Sequence, residues 1–159
     1  LPQSRRVPAM PTTAIPARFA AAIVILATGA AATDRHIVHV PGWPSTPIFS
    51  AGVVTGNVVF ASGVVGFDLT SSPPHVCPGG IKGQTKCALE NLRAIVEAAG
   101  TTIANVVECT VFLATMDDFA AMNEVYVSVF DKDPPARAAV AVASLAGGAA
   151  VEFKCSAAI

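Results

Sequence analysis

Arg137 follows Pro134-Pro135-Ala136 and opens a run without further charge, Ala138-Ala139-Val140-Ala141-Val142-Ala143. Its planar guanidinium can grip a carboxylate through two parallel N–H bonds. It reads either as a surface cation or as an anion clamp, and the flat apolar surroundings with a rigid proline approach favour weighing the clamp. Glu152 lies between Val151 and Phe153. It is either a solvated carboxylate on an outward strand face or a base that orients a water. Ser62-Gly63 sets a hydroxyl beside a residue with no side chain, which lets a ligand approach the backbone; a plain turn is the alternative. Asn123 interrupts the apolar side of a helix next to Met122. Its amide is aimed at something specific or satisfies a helix–sheet hydrogen bond. From the residues alone, this is one candidate site for a small carboxylate.

The other chemistry-bearing residues form no motif. G-x-S-x-G, P-loop and G-x-G-x-x-G patterns are all absent. Cys77, Cys87, Cys109 and Cys155 show no CxxC and no His-paired metal spacing, so they are expected to be buried or half-buried free thiols. His36, His39 and His75 are scattered, and a lone H-x-x-H is a poor zinc signature, so no metal is expected.

The elements that must carry these residues are legible from period and punctuation. A 3-4-3 stripe of Thr85, Ala88, Leu89, Leu92, Ile95, Val96 and Ala99 predicts a helix from about Ile81 to Ala99. Gln84, Lys86, Glu90, Arg93 and Glu97 take its polar face, and Gly100 ends it with a left-handed cap. A second helix is predicted from about Asp117 to Phe130, with Phe119, Met122, Val125, Tyr126 and Val129 inward. Strands are predicted at His36–Val40, Ile48–Val54, Val58–Gly63 and Val106–Ala114. Arg137–Ser144 and Ala149–Ala157 read as a closing hairpin around Gly147-Gly148, which would bring Glu152 near Arg137. The order β-β-α-β-α-β-β is an α+β domain with two helices on one face of a mixed sheet. Two helices cover one face only, and Ala138–Ala143 offers no polar side. The open face is therefore expected to meet a second copy of the chain.

Composition narrows the class. The 159 residues are 53% apolar and 13% charged, which excludes a disordered chain, a coiled coil and a polybasic nucleic-acid binder. From Asp34 onward the chain has seven Lys/Arg and eleven Asp/Glu. Such a body repels phosphate backbones, so no nucleic-acid partner is expected. Residues 1–33 stand apart as an N-terminal extension, and 34–159 form the domain. The extension is acid-free, carries Arg5, Arg6 and Arg18, and contains an apolar run too short to span a bilayer. It reads as a targeting segment or a plain appendage: cytoplasmic, mitochondrial, or a cleavable secretory signal within about residues 10–32. No membrane partner is expected.

Three stretches carry a resemblance. Pro135-Ala136-Arg137-Ala138-Ala139-Val140, Val142-Ala143-Ser144-Leu145 and Val151-Glu152-Phe153 resemble the C-terminal signature of the Rid (YjgF) family of imine deaminases. Gln84–Leu92 with Ile95–Gly100, and Val106–Leu113 with Met116–Tyr126, resemble its first helix, third strand and second helix. The likeness runs in order over roughly residues 36 to 157. It implies a chorismate-mutase-like α+β fold, a homotrimer with clefts between subunits, and hydrolysis of 2-imino acids to 2-keto acids and ammonia without cofactor or metal. It also implies that Arg137 grips the substrate carboxylate and Glu152 activates water. The backbone around Ala139 would orient the imine nitrogen, and Ser62, Gly63 and Asn123 would line the pocket.

Three positions depart from the family's common pattern. Phe49 stands where a tyrosine hydroxyl is usual, Val64 where glutamine often follows Ser-Gly, and Ala139 where many members have cysteine. Losing the hydroxyl removes one water or substrate contact. That keeps a noncatalytic carboxylate binder in play as the alternative, with a ribonuclease or translation inhibitor as the weaker one.

Overall fold

The computed structural model describes residues 34–159, so the expectations for the extension 1–33 lie outside the described residues. Its elements are β1 (Arg35–Val38), β2 (Gly52–Thr55), β3 (Val58–Ala61), β4 (Val64–Val65), β5 (Phe67–Asp68), β6 (His75–Val76), α1 (Gly80–Ala98), β7 (Val106–Leu113), α2 (Phe119–Val129), β8 (Ala136–Ala141) and β9 (Val151–Ala158). The main sheet runs β1-β2-β3-β9-β7-β8, with β4 also paired to β9. Only β7 and β8 are parallel, so the sheet is mixed as expected. Both helices pack on one face. Leu89, Leu92, Ile95 and Val96 of α1 and Met122 of α2 meet Val111, Leu113, Val151 and Phe153 in the core.

The hairpin expectation is corrected. β7 lies between β8 and β9, and the two closing strands do not pair. The cause is topological: β7-α2-β8 is a βαβ crossover, which sets β8 parallel to β7 at the sheet edge. The chain then leaves through a turn at Ala146–Gly148, with positive φ at Gly147 and Gly148, and β9 takes the opposite edge of β7.

α1 forms where its stripe predicted, and Gly100 at φ 89° closes it, Thr101 N–H reaching Val96 O at 3.0 Å. Gln84 was assigned to the polar face, yet it is buried. Its Oε1 accepts from Ala150 N–H at 2.7 Å, which fixes the start of β9 against the helix. Leu92 is fully buried at the centre of this packing. Leu92→Ala is expected to cost about 2–5 kcal/mol, read as a lower urea midpoint at unchanged m-value.

The free-thiol expectation is also corrected: disulfides join Cys77 to Cys87 and Cys109 to Cys155. Cys109 and Cys155 are direct cross-strand partners of β7 and β9, a neighbourhood invisible at a sequence separation of 46. The sheet face away from the helices is bare. Phe60, Val107 and Val140 are 47%, 51% and 45% exposed there, and β8 is open along most of its length. Among the described residues no helix is long and apolar enough to cross a membrane.

Candidate functional site

Two clusters carry the chemistry, one on each face of the sheet. Arg137 is in register with the fully buried Cys109, so its side chain leaves on the helix face. Its Nη1 donates to Asn123 Oδ1 at 2.7 Å. Its guanidinium carbon lies 4.3 Å from the centre of the Tyr126 ring and 5.8 Å from that of Phe119. Phe119, Asn123 and Tyr126 fall at i, i+4 and i+7 of one helix face, and together they hold the cation. Asn123 is thus aimed at a specific group, and that group is Arg137. Burial raises the Tyr126 phenol above its ordinary pKa, opposed by the nearby Arg137 charge. The ring stays neutral, and its face remains a platform for the cation. Ala139 lies two residues along β8, half-buried on the same face. Asn123, Tyr126, Pro135 and Arg137 border a cavity of about 420 Å³.

Tyr126 was expected only as a core residue. Its spacing from Asn123 and Phe119 was the available signal for a second role, hidden because the same stripe reads as simple packing. Among the described residues the ion pairs are His36–Asp34, Lys82–Glu124 and Lys86–Glu90. Arg137 is therefore pinned in place without a carboxylate partner among them.

Glu152 belongs to the other cluster. Its neighbours Val151 and Phe153 are fully buried, and it stands opposite Phe112 on β7 and Val65 on β4. It therefore leaves on the bare face. Gly63 sits against it, and a Cβ at that position would collide with Glu152 Oε1. Here the glycine is required by close approach rather than by a turn. Ser62 Oγ donates to Ser50 O at 2.6 Å while Ser62 N–H reaches Ala51 O at 2.9 Å, which ties the segment carrying Phe49 to the end of β3. Phe49 is 59% exposed. It shares with Ser62 and Gly63 the wall of a second cavity of about 380 Å³.

The two clusters do not meet within one chain. Arg137 and Glu152 sit two strand spacings apart and three residues out of register. That is about 10 Å across and about 10 Å along the sheet, on opposite faces. The site residues thus form an arginine pole and a glutamate pole at separate surfaces. No grouping of three or more His, Cys, Asp or Glu suited to a metal occurs among the described residues.

Comparison with known proteins bears on the fold and the family. The family model described as Endoribonuclease L-PSP matches residues 44–159. A 2-iminobutanoate/2-iminopropanoate deaminase of Mus musculus is 42% identical over 106 residues, 67% of this chain and 77% of that protein. The RutC family protein UK114 of Drosophila melanogaster is 42% identical over 107 residues, 67% of this chain and 76% of its own. Among solved structures, RidA from the Antarctic bacterium Psychrobacter sp. superposes with a TM-score of 0.72 at 37% identity, covering 78% of this chain and 99% of that one. E. coli TdcF with bound serine superposes with a TM-score of 0.72 at 31% identity, covering 78% and 98%. With the family model matched over residues 44–159, and the fold shared over nearly the whole of both solved structures, the chain belongs to the endoribonuclease L-PSP family, the YjgF/RidA family.

Proposed function

We propose that this chain is a hydrolytic deaminase of reactive 2-imino acids, releasing a 2-keto acid and ammonia, and that it works as a homotrimer. The observation that carries the reading is Arg137: a guanidinium held by Asn123 and Tyr126, with no carboxylate partner among the described residues. Such a cation is set for an anion from outside the chain, and its fork suits a substrate carboxylate. The relatives named as deaminases support the reaction class. The bare sheet face, with Phe60, Val107 and Val140 exposed, supports packing against further copies.

In this reading each cleft pairs the arginine pole of one protomer with the glutamate pole of its neighbour. Arg137 holds the carboxylate and the backbone at Ala139 orients the imine nitrogen. Glu152 takes a proton from a water as its oxygen bonds to the imine carbon, and the C=N electron pair moves to nitrogen. The proton then passes to the amine of the resulting carbinolamine. The C–N bond breaks and ammonia leaves, while Glu152, a carboxylate again, takes the hydroxyl proton as the keto group forms and passes it to the ammonia, which departs as ammonium. An iminium carbon is already electrophilic, so positioning and a proton acceptor suffice. The test is keto-acid release from imines generated by an amino-acid oxidase or a threonine dehydratase. No acceleration over buffer on several imines overturns the reading.

Gly63→Ala is a local probe of the glutamate pole. The added methyl displaces the Glu152 carboxylate, the flexible end of a side chain, so the fold is little affected. Misplacing a catalytic group by about 1 Å is worth about 10²-fold in rate. The expected result is that loss in kcat with a thermal midpoint close to that of the parent.

Phe49 favours a second reading. With no hydroxyl at this exposed position, the pocket could bind small carboxylates without turnover, seen as saturable 2-oxobutanoate binding by a protein inert on imines. The family's ribonuclease description finds less support: the body is acidic, and His36 and His75 pair locally with Asp34 and Ser71.

A further inference from the structure

The second cavity says which imino acids fit. It has a volume of about 380 Å³ and is walled by Trp43, Phe49, Val64, Leu69 and Ile95. No Asp, Glu, Lys or Arg lines it, and its one titratable liner is the exposed His39. The cavity also opens on Ser62 and Gly63, and Gly63 touches Glu152. A ligand carbon attacked by a water on Glu152 would therefore lie at its mouth, with the carboxylate turned away toward an arginine. The remaining substituent on that carbon is the side chain, and the space in front of it is apolar.

Resting on the imine-deaminase reading, we infer that this cavity is a side-chain subsite and that the protein prefers 2-imino acids with large apolar side chains, of the leucine or phenylalanine type. A methyl group leaves most of the volume unfilled. A charged side chain would lose its water without gaining a partner. Each methylene buried there is worth roughly fourfold in kcat/KM, and a leucine-type side chain adds three carbons to an alanine-type one.

The test compares kcat/KM for the imines of alanine, leucine, phenylalanine and glutamate, each generated in situ by an amino-acid oxidase. The expected result is a leucine-to-alanine ratio of at least about 10, with the glutamate imine poorer than either. Ala51→Leu, at the cavity wall, is expected to lower that ratio at least about fivefold by filling the space. Trp43→Ala removes a large wall residue and shifts preference toward the phenylalanine type. Competitive inhibition by the products needs no variant to fold: 4-methyl-2-oxopentanoate should inhibit at lower concentration than pyruvate. Equal ratios and equal inhibition on a protein that hydrolyses all four imines overturn the subsite and leave the deaminase standing. Inactivity on every imine overturns the deaminase reading and the subsite with it.

Discussion

Arg137→Ala lowers kcat/KM for imine hydrolysis by about 10³-fold, while the protein keeps its fold and its thermal midpoint. The arginine sits at the exposed start of an edge strand and is not itself a core residue, so its removal loses its contacts with Asn123 and Tyr126 but leaves the sheet and helix packing in place. What disappears is a charged, preorganised anchor. Truncating one partner of a hydrogen-bonded charge pair costs about 2–5 kcal/mol, and 10³-fold is about 4 kcal/mol. Arg137→Lys keeps the charge and loses the fork, the Nη1 bond to Asn123 and the guanidinium's contact with the Tyr126 ring, so it recovers only part of the rate. Glu152→Gln retains an oxygen to hold the water but cannot take its proton, and is expected to fall by about 10². Steady-state kinetics on one imine, with unfolding curves for each variant, check all three. An Arg137→Ala protein with near-parental kcat/KM removes the arginine from the site.

Mixing two impaired variants restores activity. Arg137 and Glu152 leave opposite faces of the sheet, so a chain cannot close its own site, and in the proposed trimer each site takes one residue from each neighbour. When Arg137→Ala and Glu152→Gln chains are refolded together in equal amounts, about one site in four draws an intact arginine and an intact glutamate from adjacent subunits. The expected activity is therefore about a quarter of the parental value, against about a hundredth or less for each variant alone. If both residues served from one chain, no mixed assembly would contain an intact site. Activity that stays at background in mixtures of proven mixed composition overturns the shared cleft.

The helices were legible because their signal is local. A 3-4-3 stripe with a glycine after it specifies α1 nearly to the residue, and only Gln84 departs, since one buried amide bond to Ala150 outweighs its polar character. The isolation of Arg137 in an uncharged strand was legible too; its hold on Asn123 and Tyr126 was not. The hairpin was not. Two apolar runs with Gly-Gly between them look the same whether they pair with each other or flank a third strand, because strand order depends on where α2 returns the chain. The cysteine pairing failed for the same reason, Cys109 and Cys155 becoming neighbours only through the β7–β9 ladder.

Residue type and spacing alone thus named the candidate groups, an arginine, a glutamate, a serine–glycine pair and an asparagine, and the two helices that back the sheet. Which of these share a face was decided only on folding. The alternation of a strand is local, but which face meets the helices, and which strand lies beside it, is a property of the packed whole. Arg137 came to rest among α2 side chains and Glu152 on the bare side because the first is in register with the inward Cys109 of β7 and the second with its outward Phe112, a register set only when the three strands assemble.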